Sequence, residues 1–238
     1  MTLALLVLAS LVAAVVASTT GFGAAIVLTP FAAMVIDLKQ AIVLVAYFVL
    51  FANLFNMLRL RDFINYRSVI LFGLPMVLTT LVGAMLFDRL DVDVISVVFA
   101  VIILLFVVYS LTNTRFKIPT GGGPLMLGGA LSGITAGLVG MGGPFRSMFL
   151  VSTVLGKNNY IATSATLAVL VSATRIGVYL YNDSLYGEYY IYSLPLVVIA
   201  FVGTYAGLKL LSRLSSLVVK RSVLVLLALI AVKLLFFN

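Results

Sequence analysis

The chain has 238 residues, of which 63% are hydrophobic and only 9% charged, against about 25% charged in an ordinary soluble domain. A water-soluble globule of this size has no way to hide that much apolar surface, so the composition points to a bilayer. With neither Cys nor His, disulfides, thiolate metal sites and the usual general base are excluded, and the +8 formal charge suits loops facing anionic lipid better than nucleic acid.

The apolar runs predict an all-α polytopic membrane protein. The first run, 2–36, is interrupted at Ser18-Thr19-Thr20-Gly21-Phe22-Gly23. Its apolar opening lacks the basic flank of a cleaved signal peptide, so it is expected to stay in the mature chain. Spans follow at 41–58, 69–87 and 94–111. A polar linker, 112–123, carries Arg115, Lys117, Pro119 and three glycines. The pattern then recurs. A second run, 124–155, is broken at Gly140-Met141-Gly142-Gly143-Pro144, and spans follow at 160–180, 191–211 and 222–237.

This recurrence reads as a duplication of 1–119 in 120–238. A shift of 119 residues lays Gly21-Phe22-Gly23 on Gly140-Met141-Gly142, Asn53 on Ser172 and Asn56 on Arg175. Leu74-Pro75 matches Leu194-Pro195 at a shift of 120, and each Pro is followed eight residues later by Gly83 or Gly203. Repeats of this size are a habit of transporter folds.

Counting charges sets the topology. If each broken run crosses once, the loop Lys and Arg residues divide almost evenly between the two sides. If each enters and leaves on the same side as a re-entrant hairpin, one face of the membrane collects Arg59, Arg61, Arg67, Arg115, Lys117, Lys157, Lys209, Arg213, Lys220 and Arg221. The other side keeps Lys39, Arg89 and Lys233. Ten against three is the asymmetry that the positive-inside rule expects. Moreover, the half-run 24–36 covers only about 20 Å as a helix, too short for a core of about 30 Å. Each repeat is then a broken, re-entrant hairpin plus three transmembrane helices. Three is odd, so the two repeats are expected to be inverted, with both termini outside.

Gly-rich backbone at membrane depth is tolerated only beside protein or a water-filled cavity. In the second break Gly142 and Gly143 free the backbone, and Pro144 suits the first position of a new helix. Arg146 follows in its first turn. Free N–H groups, a positive helix end and a guanidinium at Gly140–Arg146 suit an oxyanion; the alternative is a packing break with Arg146 snorkelling to the surface. In the first break Gly21, Gly23 and the hydroxyl of Thr20 offer an uncharged counterpart, with Val27 in the place of Arg146. Arg175, about sixteen residues into an apolar span and near its outer end, is a functional candidate whose counter-charge a substrate would supply; the alternative is snorkelling to the outer interface. Asn53 and Asn56, one turn apart, either line the same cavity or bond between helices. Gly203/Gly207 and Thr79/Gly83 read as close-packing pairs, and the tyrosines near the outer end of the sixth and seventh segments as an aromatic belt.

Gly21-Phe22-Gly23, the run Gly-Met-Gly-Gly-Pro-Phe-Arg at 140–146 and the duplicated plan together resemble the TauE/SafE sulfite-exporter family, also called the toluene-sulfonate uptake permease family. That resemblance implies a bacterial or archaeal cell-membrane protein moving sulfite, sulfonates or related organic anions; family members are usually described with seven or eight spans. The expected protein is therefore a secondary transporter, an exporter by preference, of a small sulfur-containing anion. It would work by alternating access between its repeats, with the lipid bilayer and the anion as partners. No cofactor, metal or nucleic acid is expected. Asp37, at the exit of the first hairpin, is the best carboxylate for proton coupling. An anion channel would use the same residues, while a membrane enzyme or a scaffold leaves the two breaks without a purpose.

Overall fold

The computed structural model describes residues 10, 13, 24–111, 121–151, 156–185, 191, 195–200 and 202. Among them the chain forms α1 (Ala25–Ala32), α2 (Leu38–Arg59), a 3-10 turn (Arg61–Phe63), α3 (Tyr66–Phe87), α4 (Val92–Leu111), α5 (Gly122–Val139), α6 (Gly143–Val151) and α7 (Lys157–Tyr181). Helices α2, α3, α5 and most of α7 are long and apolar enough to cross a membrane. Most of the first half of the first run, most of 191–211 and all of 222–237 lie outside the described residues.

Local chemistry sets the helix ends. The Asp37 carboxylate accepts the N–H groups of Lys39 (2.9 Å) and Gln40 (3.2 Å) and so caps α2, a structural task for the residue that sequence reading offered as a proton carrier. Asn65 caps α3 by accepting Ser68 N–H at 3.0 Å. Helix α5 stops at Gly140, whose φ of 78° lies in the left-handed region. There the N–H groups of Gly140 and Met141 turn back to the carbonyls of Ala136 and Thr135, a closure that favours glycine.

The closest packing in the bundle is between α3 and α5. Gly129, Gly133 and Gly137 follow one another at four-residue spacing along α5. A Cβ at Gly133 would collide with Met76 O, and one at Gly137 would lie 2.6 Å from Thr80 O. From the other side, a Cβ at Gly83 would lie 2.8 Å from Ile134 O. The two backbones therefore touch, with hydroxyl bonds across the seam from Thr79 to Ala130 O (2.9 Å) and from Thr80 to Gly133 O (3.1 Å). The pair Thr79/Gly83 thus faces α5, while Gly203/Gly207 lies outside the described residues. On the opposite face of α3, Ile70, Leu74 and Leu78 are exposed, an apolar ridge suited to lipid.

The bundle has two distinct ends. At one, Asn65 N–H donates to Thr163 Oγ1 at 3.0 Å, and Gly121 and Gly122 share a hollow with Asn65 and Arg67, so α3, α5 and α7 all begin there. At the other, the start of α2, the end of α3 and the end of α7 meet around Asp88. The chain leaves the Asn65 end along α5 and is back there at the start of α7, having passed through the break and α6.

Candidate functional site

The break between α5 and α6 is held from below by Ser132, whose hydroxyl donates to Gly142 O at 2.8 Å. Helix α6 opens at Gly143, which puts Pro144 second in the helix instead of first, and its first closure is Arg146 N–H to Gly142 O at 3.1 Å. The first-turn amides of a helix have no intrahelical partner. They add a partial positive charge at this point.

Arg146 is only 7% exposed. Its Nε–H donates to Ser164 Oγ at 3.0 Å, its one side-chain hydrogen bond among the described residues, so the terminal N–H groups remain for another partner. Arg175, on α7, is 2% exposed. Its Nε and Nη2 donate to Tyr179 Oη at 3.2 and 3.1 Å, and Nη2 also reaches Ile42 O at 3.1 Å. Gly140 permits this placement: a Cβ there would stand 3.0 Å from Arg175 Nη2.

Both arginines line a single cavity of about 30 Å³, room for a water-sized group at least. Gly140, Gly142, Gly143, Pro144 and Asn53 line it too. So does Ser172, a buried hydroxyl that sequence reading paired with Asn53 but did not offer as a site residue. Among the described residues no carboxylate lines the cavity, and the only ion pair, Arg61–Asp62 at 3.8 Å, is far out in solvent. Two buried guanidiniums without a counter-charge are costly unless something anionic pairs with them.

The other candidates fall elsewhere. Asn56 does not line the cavity; it is half-buried on α2 and its carbonyl accepts Leu60 N–H. Asn53 spends its amide N–H on Val49 O, four residues back, at 2.8 Å. Thr20, Gly21 and Gly23 lie outside the described residues. Ser132 and Ser164 were missed, because a Ser in an apolar helix usually signals bonding to its own backbone. The 119-residue shift does find a pattern here. It pairs Ala24 and Ala25 with Gly143 and Pro144, and Asn53 with Ser172, and all six residues line the cavity.

A family model described as Sulfite exporter TauE/SafE matches residues 6–234. No curated protein and no solved structure matches the chain.

Proposed function

This chain belongs to the sulfite exporter TauE/SafE family, and from that premise we propose that it is a secondary transporter that binds a small sulfur oxyanion between Arg146 and Arg175. The observation that carries the reading is the pair of buried guanidiniums on one cavity that no carboxylate among the described residues lines. Arg146 and the α6 amides bind the anion, Gly142 and Gly143 keep side chains out of its way, and Arg175 is the second cation. Gly21, Gly23 and Thr20 supply the facing half, with Asn53 and Ser172 as polar neighbours. Arginine suits this role because its planar fork matches an oxyanion and stays charged.

Alternating access follows from two inverted repeats, a reading supported by the repeat-paired residues around the cavity. The ten-to-three charge split puts the Asn65 end in the cytoplasm and both termini outside, in a multi-pass plasma-membrane protein. Export is the favoured direction, since an inside-negative potential drives an anion outward by about 2.3 kcal/mol per charge per 100 mV.

Two measurements test this. In a thermal-shift screen, sulfite is expected to raise the melting temperature more than sulfate, thiosulfate, sulfoacetate or taurine, because only ligands of the native state do so. Taurine should do least, as its ammonium meets two guanidiniums and no carboxylate. A melting temperature indifferent to every anion would remove the reading. For topology, single Cys residues replacing Asp62, Lys117 or Arg213 should be shielded from an impermeant thiol reagent in intact cells, and those replacing Asp91 or Ser184 labelled. Labelling of the first group would reverse the orientation.

A further inference from the structure

We propose that the Asp88 end is the gate of the transport path, closed in this structure, with Asp88 as its latch and Tyr179 with Phe87 as its plug. The proposal rests on the transporter reading above. Going outward from the cavity along α7, Arg175 is followed by Tyr179 and then Asn182, about 10 Å of helix. On its inner side this interval is closed by packed side chains. Ile42, Tyr179, Phe87 and Gln40 are each at most 1% exposed, and the rings of Tyr179 and Phe87 lie 5.2 Å apart. The plug touches the anion site directly, because the Tyr179 hydroxyl holds Arg175.

Outside the plug, three helix ends are tied together. The Asp88 carboxylate, at the end of α3, accepts Asn182 Nδ2–H and Ser184 Oγ–H, both at 2.7 Å, from the end of α7. Gln40 Nε2–H, at the start of α2, donates to Ser184 O at 3.0 Å, and Lys39 Nζ reaches Asp88 O at 3.4 Å while lying 5.6 Å over the Phe87 ring. These bonds join α2 and α3 to α7, that is, one half of the chain to the other. Asn182 at their outer edge is exposed, and water can take over the donors and acceptors once the ends part, so the closure is reversible in a way that an apolar core is not. The opposite end differs. It holds a hollow of about 340 Å³ beside Asn65, Arg67 and Gly121, with the bond from Asn65 N–H to Thr163 Oγ1 joining α3 to α7.

The chain contains no Cys, so a single introduced thiol reports access without background. Ala168, which lines the cavity and is buried, is the position to use. The Ala168→Cys protein, in vesicles of each orientation, is treated with a small membrane-impermeant methanethiosulfonate. Labelling from the Asp88 face should be slow. Adding Asp88→Ala should speed it at least ten-fold from that face and leave the opposite face unchanged or slower. If that variant does not fold, Asn182→Ala with Ser184→Ala removes the same bonds from the α7 side and should do the same. An unchanged rate would show the plug to be permanent packing. An equal rise from both faces would show that the bonds merely stabilise the bundle; either result overturns the gate. Because labelling needs no anion, its outcome is separate from that of the sulfite screen.

Discussion

Replacing Arg146 with Ala is expected to lower sulfite affinity by about ten- to a hundred-fold, the loss of one charge-assisted contact of about 1.5–3 kcal/mol. The protein should still insert and melt cooperatively, because among the described residues the Arg146 side chain makes one hydrogen bond, to Ser164. Arg146→Lys should recover part of the affinity, keeping the charge but losing the fork. The matched control is Val27→Ala at the repeat-one counterpart. Val27 is buried in the core, so its truncation should cost stability through lost packing and leave the anion affinity in place. Calorimetric titration with sulfite checks all three. Wild-type affinity in Arg146→Ala would detach the binding site from α6 altogether.

Gly133→Val is expected to have the largest effect on the fold. A side chain there has nowhere to go, since the first atom it adds already meets the Met76 carbonyl and the Thr79 hydroxyl. Overpacking typically costs about 1–3 kcal/mol when side chains can shift; here the obstacle includes backbone, so the cost should reach or exceed the top of that range. The melting temperature and the monodisperse fraction in detergent should both fall sharply. Gly123→Ala, where the added carbon has no neighbour within 4 Å, should change neither. A stable Gly133→Val protein would mean that α3 and α5 do not meet through their backbones.

How much of this was legible beforehand depends on whether a residue acts through its type or through its neighbours. The break at Gly140–Gly142 is written in residue type: Gly at a left-handed helix end and Pro just inside the next helix are local preferences that need no partner. Burial of Arg146 and Arg175 was legible as the anomaly of charge within apolar runs. That Gly140 and Arg175 lie side by side was not, because 35 residues separate them and only the packing of α5 against α7 decides it. The same holds for Ser164, which orients Arg146: a serine in a helix has its own backbone to bond, and nothing in the spacing says that it instead receives a guanidinium. Tyr179, four residues after Arg175 on one helix, was legible from spacing alone, but sequence reading assigned the tyrosines of this region to a belt. Gly129, Gly133 and Gly137 were legible in principle as a four-residue stripe, yet sequence reading assigned the close contact to Thr79/Gly83, the partner surface on α3. Asn53 went the other way: its helix position gave it a cavity, and its amide N–H still returned to Val49 O.

The seam between α3 and α5 has a mechanical meaning. Packed helices slide past each other by letting interdigitated side chains change rotamer in small steps. Where backbone rests on backbone, as at Gly83, Gly133 and Gly137, there is no such compliant layer to shear. The two helices then act as one stiff beam. Ser132 fastens Gly142 to this beam through its bond to Gly142 O, so the start of α6 rides with it. A displacement applied at the Asp88 end of the beam therefore arrives at the amides of α6 nearly undiminished, and the strain of any rearrangement concentrates where α7 meets it through side chains such as Leu167 against Gly73.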